Sequence, residues 1–182
     1  MAHVLKVRIG RIEKDVEWRT HSSSVEMTER LGEVLGAKVR SGDVITLDGD
    51  LGAGKTAFTR GVARGMQLRS RVTSPTFTIV NEYNDTQGVP RLFHFDTYRL
   101  TGSDDFYDAG LDEYFQRDGV CMIEWSKVIE DALPKDRIEF EISGFGSERE
   151  ILIRFAEQDV SRMDEVRAVM EQEGMKFEDT GL

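Results

Sequence analysis

The chain has 182 residues, with 34 acids against 24 Lys and Arg, for a formal net charge of −10. That length is enough for one domain with a sizeable core, and the acidic balance excludes bulk electrostatic binding of nucleic acid. The single cysteine, Cys121, excludes an intrachain disulfide framework, and His3, His21 and His94 are too far apart for a zinc-ligand spacing. No run of 18 apolar residues suggests a membrane span, and the alternating start Met1–Ile9 lacks the apolar core of a signal peptide, so a cytoplasmic protein is expected.

In chain order, residues 1–19 read as one or two strands around Gly10. Ser23-Ser24-Val25-Glu26 gives an S-x-x-E capping box, and Leu31, Val34, Leu35 and Val39 recur at helical spacing, which predicts a helix to about Arg40. Ser41-Gly42-Asp43 breaks it, and Val44–Leu47 reads as a buried strand. A helix follows over 55–66, then a turn at Thr73-Ser74-Pro75-Thr76, a strand from Phe77 to Tyr83 and a polar loop from Asn84 to Pro90. Leu92–Phe95 is a short strand ending in Asp96, residues 104–115 read as a helix, and Val120–Ile123 is a strand ending in Glu124-Trp125. Alternation at Ile138, Phe140, Ile142 and at Ile151, Ile153, Phe155, around Gly144 and Gly146, predicts an antiparallel hairpin. Val160, Met163, Val166 and Met170 mark a last amphipathic helix. The expected fold is an α/β three-layer domain with a mixed parallel and antiparallel sheet, and the run GDLGAGKT (Gly49–Thr56) between the strand Val44–Leu47 and the helix over 55–66 makes it P-loop NTPase-like. It is expected to span residues 1–182, with 1–19 as a strand extension and 157–182 as an acidic helix and tail.

The most specific motif is Gly49-Asp50-Leu51-Gly52-Ala53-Gly54-Lys55-Thr56, which fits G-x-x-x-x-G-K-[ST] between a strand and a helix. Glycines let backbone N–H groups curl around phosphate oxygens where a Cβ would crowd them. Lys55 is expected to reach the β- and γ-phosphates, and the Thr56 hydroxyl to ligate Mg²⁺. Asp50, Leu51, Gly52, Ala53, Gly54, Lys55, Thr56 and Ala57 are therefore the expected nucleotide contacts. Gly52–Ala57 also fits the dinucleotide pattern G-x-G-x-x-A, but no acid lies between Asp50 and Glu82 to hold a ribose hydroxyl. The guanine signature N-K-x-D is absent, which favours ATP over GTP.

Hydrolysis also needs a carboxylate for the metal and a group that orients water. Asp96 and Glu124 both follow strands, where an open α/β sheet presents its ligand site. One is expected to hold the metal and the other to place water; strand-end acids also serve as helix caps or surface residues. The Thr73–Phe77 turn offers hydroxyls toward a γ-phosphate or metal, with a plain proline turn as its alternative. Trp125 fits either a nucleotide or partner surface or the core. Residues 51–81 carry five bases and no acid, which suits an anionic ligand or an Arg-decorated helix face equally, whereas 157–182 carry eight acids and three bases. These residues suit an ATPase, a small-molecule kinase with Asp96 as base, or a nucleotide-gated binding module.

The motifs GDLGAGKT, TRG, VTSPTF, HFDTYRL and IEW, with Gly110-Leu111 and Glu113-Tyr114-Phe115, resemble in order and spacing the bacterial tRNA threonylcarbamoyladenosine biosynthesis protein family TsaE, over roughly residues 20–155. The resemblance implies a small Mg²⁺-dependent ATPase, slow without its partners. It would work with the TsaD and TsaB proteins in modifying the adenosine beside the tRNA anticodon. Its hydrolysis would reset that pair, and tRNA would be met through the complex rather than by strong direct binding. By motif, Lys55 is similar to the phosphate-binding lysine and Thr56 to the Mg²⁺-binding hydroxyl. Asp96 resembles the essential acid for water or metal, and Glu124 the metal-linked acid. Trp125 and the SPTF turn resemble elements that sense nucleotide or partner, and Arg149 an arginine near the nucleotide. Ala57 stands where the family commonly has a second threonine.

Overall fold

The computed structural model describes residues 16–84, residue 87 and residues 91–181; most of the expected N-terminal strand region lies outside them. The strands are β1 (Val16–Ser22), β2 (Val44–Asp48), β3 (Val80–Tyr83), β4 (Arg91–Asp96), β5 (Gly119–Glu124), β6 (Ile138–Ser143), β7 (Arg149–Phe155) and β8 (Phe177–Asp179). They form one sheet in the order β3-β4-β5-β2-β6-β7-β1-β8. The centre, β4-β5-β2-β6, is parallel, while β3, β7, β1 and β8 add on antiparallel. The helices are α1 (Val25–Gly36), α2 (Lys55–Gly65), α3 (Ser103–Asp108) and α4 (Val160–Gln172).

Strand alternation sorts side chains onto two faces. Ile45, Leu47, Leu92, Val120 and Met122 join the cluster with residues of α1, α2 and α4. Val44, Phe93, Phe95, Cys121 and Ile123 join the opposite cluster with Phe106 of α3 and Leu111. His94 and Asp96 continue the Leu92 row, and Glu124 continues the Val120–Met122 row. All three therefore lie on the face covered by α2.

Helices α1 and α2 meet through glycines spaced four apart on each. A Cβ at Gly32 or Gly36 would lie 2.3 or 2.2 Å from the carbonyl oxygens of Phe58 and Val62. One at Gly61 or Gly65 would lie 2.0 Å from those of Glu29 and Glu33. The two backbones can approach this closely only because no side chain intervenes.

Several boundaries differ from the sequence expectation. The N-cap of α1 is Ser24, not Ser23: its Oγ accepts from the Met27 N–H at 3.1 Å, which places Glu26 outside the capping-box position. The helix ends at Gly36, where the Lys38 N–H bonds Leu35 O at 2.8 Å; Val39 still packs on the core from outside the helix, which explains the misleading periodicity. The strand expected from Phe77 starts at Val80, because the Ile79 N–H closes a turn on Pro75 O and Ile79 sits at φ 65°. The expected helix over 104–115 is broken by Gly110 at φ 67° into α3 and a 3₁₀ segment, Leu111–Gln116. A further 3₁₀ segment, Ser126–Ala132, and strand β8 were not foreseen. The expected hairpin is β6–β7. The C-terminal segment carries the expected last helix as α4, pairs through β8 with β1 and is tied in by Arg162, whose guanidinium contacts Asp43 at 2.6 Å and Asp159 at 2.6 Å.

Candidate functional site

Strands β2, β4 and β5 end along one edge of the sheet, and the chain leaving β2 turns through the glycine-rich loop into α2. Gly54 at φ 107° and Gly52 at φ 79° hold the loop in left-handed backbone, and nothing lies within 4 Å of a Cβ built on Gly52. Gly49 is glycine for another reason: a Cβ there would lie 2.0 Å from Ile142 O. The first intrahelical bond of α2 runs from the Phe58 N–H to Gly54 O, so the N–H groups of its first turn have no carbonyl one turn back. They point into a cleft of about 680 Å³ lined by the loop, α1, the Ser74–Thr76 turn, Asp96, Glu124 and Trp125.

Lys55 is buried at the head of α2. Its Nζ donates to Gly49 O at 2.7 Å and Asp50 O at 2.9 Å and lies 4.3 Å from the centroid of the Trp125 ring. Burial pushes its pKa below the usual lysine value, opposed by the charges of Glu124, Asp96, Asp48 and Asp50. A desolvated ammonium held by carbonyls and a ring is chemically suited to an incoming anion. Trp125 is half-buried in left-handed backbone at φ 60°, its ring tilted 53° against that of Tyr98 with centroids 4.9 Å apart. Its backbone is fixed by its N–H on Leu47 O and by the Thr97 hydroxyl on Trp125 O. It is therefore a wall of the cleft rather than a core residue.

Beside Lys55, the Thr56 hydroxyl donates to Glu124 Oε1 at 2.9 Å. Glu124 is buried, and the same oxygen lies 2.8 Å from His94 Nε2. Asp96 pairs in register with Glu124 across β4 and β5, so both point to the cleft side. Asp96 is more open: its Oδ1 accepts from the Tyr98 N–H at 3.0 Å, and its Oδ2 lies 3.4 Å from the Ser74 hydroxyl. Ser74 in turn contacts Thr76 at 3.0 Å. The two strand-end acids thus differ in setting, one enclosed against Thr56 and the other at the wall.

A hydroxyl has one hydrogen and two lone pairs, so Thr56 can donate to Glu124 and still offer a lone pair to a metal. The loop, the buried Lys55 and the Thr56–Glu124 pair fit a magnesium nucleotide. Among the described residues no group of three or more His, Cys, Asp or Glu could by itself hold a metal ion.

Asp50, Leu51, Gly52, Ala53, Gly54 and Ala57 all belong to the loop and the first turn of α2; Leu51 is 92% exposed, while Ala53 and Ala57 are buried. Arg149 is brought to the loop and lines the same cleft. It donates to Ala53 O at 2.7 Å, Gly52 O at 3.2 Å, Gly146 O at 2.7 Å and Glu148 O at 2.8 Å. Its guanidinium braces the loop from the β6–β7 turn. Two of the five bases of the segment are paired from α1: Arg60 with Glu29 at 2.9 Å, and Arg64 with Glu33 at 3.2 Å and Glu29 at 3.5 Å. Arg64 fits the Arg-decorated helix face, whereas Arg60 also lines the cleft. His94 and Thr97 were not singled out from sequence, although His94 is two residues before Asp96 and so shares its face.

The family model of threonylcarbamoyl adenosine biosynthesis protein TsaE matches residues 22–151. The chain belongs to the TsaE family. This is a family of tRNA threonylcarbamoyladenosine biosynthesis, and its matched span contains every candidate site residue. A tRNA threonylcarbamoyladenosine biosynthesis protein TsaE from Bacillus subtilis is 48% identical over 139 residues, covering 76% of this chain and 84% of that protein. One from Treponema pallidum is 41% identical over 117 residues, covering 64% and 84%. A crystal structure of Bacillus subtilis YdiB superposes with a TM-score of 0.70 at 38% identity, covering 84% of this chain and 95% of that one. Helix α4 and strand β8 lie beyond the matched span, as does most of β1. Among the described residues, no helix is long and apolar enough to cross a membrane.

Proposed function

We propose that this TsaE-family protein is a Mg²⁺-dependent ATPase, an accessory component of tRNA threonylcarbamoyladenosine modification that resets a TsaD–TsaB pair by hydrolysing ATP. The observation that carries the reading is the meeting of Thr56 and Glu124 at 2.9 Å beside a buried Lys55 whose partners are loop carbonyls. A binding loop alone needs no carboxylate at that hydroxyl.

In this reading the first-turn N–H groups of α2 and the Lys55 ammonium bind the phosphates, and Lys55 leaves Gly49 O and Asp50 O to do so. Thr56 and Glu124 would hold Mg²⁺, which when bound neutralises charge on the phosphate oxygens. Asp96, accessible on the cleft wall, accepts a hydrogen bond from the attacking water and orients it. Ser74 and Thr76, linked to Asp96, carry the state of the site to the exposed Phe77. With a net charge of −10, contact with tRNA runs through the partners rather than through a basic face.

Lys55→Ala is expected to abolish ATP binding or turnover; hydrolysis near the wild-type rate in that variant sinks the assignment. Capture of TsaD and TsaB with and without ATP tests the partner half. Failure to bind in either condition refutes it.

A further inference from the structure

His94 is fully buried in the middle of β4, between Phe93 and Phe95 of the opposite face. Its Nε2 lies 2.8 Å from Glu124 Oε1, and its buried Nδ1 finds no hydrogen-bond partner among the described residues. The contact with a carboxylate is attractive only if Nε2 carries the hydrogen. A buried ring with one nitrogen unsatisfied is a costly way to fill a strand position that an aliphatic side chain would fill. The ring's specific contribution is therefore its Nε2–H on Glu124. The same Oε1 receives the Thr56 hydroxyl at 2.9 Å, and the Glu124 backbone carbonyl receives both the N–H and the hydroxyl of Thr97 at 3.1 Å. Glu124 is thus held at its carboxyl and at its carbonyl.

We propose that His94 is a positioning residue that aims the Glu124 carboxylate at the metal side of Thr56, and so sets the affinity of the nucleotide site for its divalent cation. It touches neither nucleotide nor metal and acts through Glu124, as partners behind metal-linked carboxylates do. This rests on the ATPase reading above.

The test uses the full chain with Mn²⁺ as probe. Mn²⁺ binding to the protein–ATP complex is followed by electron paramagnetic resonance, and ATP binding is measured separately in EDTA. His94→Leu keeps an apolar body and removes the donor; His94→Gln keeps an N–H near the Nε2 position. The expected result is an Mn²⁺ affinity weakened about tenfold or more in His94→Leu, and restored to within about twofold in His94→Gln. Metal-free ATP affinity should be unchanged in both. Wild-type Mn²⁺ affinity in His94→Leu overturns the proposal, as does an equal loss in a folded His94→Gln, which would make the effect one of packing. ¹⁵N spectra of the wild-type imidazoles supply a readout independent of either variant's folding. With three histidines in the chain, His94 can be assigned by substitution of the other two, and it should show the Nε2–H tautomer. An Nδ1–H tautomer overturns the proposal. If the wild type binds no Mn²⁺–ATP at all, the ATPase reading itself fails and the positioning role falls with it.

Discussion

Replacing Gly61 with alanine tests whether the close approach of α1 and α2 positions the cleft. The added Cβ would lie 2.0 Å from Glu29 O, 2.9 Å from Glu29 C and 3.0 Å from Glu33 N, all backbone atoms. Ordinary contact begins near 3.4 Å, so the helices must separate by about 1 Å or more. Overpacking of this kind costs about 1–3 kcal/mol, and a backbone target puts it at the upper end. Alanine's better helix propensity returns about 1 kcal/mol. The net loss of about 2 kcal/mol lowers Tm by about 4–8 °C for a chain of this size. The functional consequence follows from what the helices carry. Lys55 and Thr56 begin α2, while Val25 and Thr28 in the first turns of α1 wall the cleft. A separation of about 1 Å pulls Thr56 from Glu124, and a misplacement of that size can cost on the order of 10²-fold in turnover. Thermal unfolding and ATP hydrolysis are the assays. Glu29→Ala in the same chain should not rescue the variant, because the clash is with the carbonyl and not the side chain. A Gly61→Ala protein with wild-type Tm and turnover refutes the reasoning.

Two further predictions rest on single contacts. Lys55 sits over the Trp125 indole, so its departure toward phosphate should change Trp125 emission; in Trp125→Phe the ATP-dependent change should vanish, because Trp18 is buried against Phe155 and Phe177. A signal that persists in that variant disproves the coupling. On β1, hydrogen bonds from Thr180 and Arg154 hold the Glu17 pKa below its ordinary value of 4.5. A carboxylate with a lowered folded pKa contributes stability above the unfolded value and loses it as pH falls through the folded one. Urea unfolding should therefore show wild type more stable than Glu17→Gln at pH 7, with the gap closing below about pH 4.5; a gap independent of pH contradicts it.

The parts of the fold that were legible were those with local signals: the glycine-rich loop, the strands that end in Asp96 and Glu124, and the β6–β7 hairpin. Misread boundaries came where a side chain keeps its burial after the backbone has left the helix, as at Val39, or where an apolar residue sits in a turn, as at Ile79. The short β8 exists only because β1 offers it an edge, 156 residues away in the case of the Thr20 hydroxyl and Lys176 O. Charge left two readings open for the same reason. The partners of Arg60 and Arg64, Glu29 and Glu33, come from α1, 31 residues upstream, which the local run of bases does not show. The site divides along the same line. Alternation along β4 is enough to put His94 and Asp96 on one face. It does not say that Glu124 stands in register with Asp96, because that depends on the pairing of β4 with β5. Once the pairing is known, the different settings follow from depth: His94 and Thr56 enclose Glu124, while Asp96 keeps access to the cleft. In the proposed ATPase, the carboxylate that would hold the metal is the one buried behind donors, and the one that would meet water is the open one.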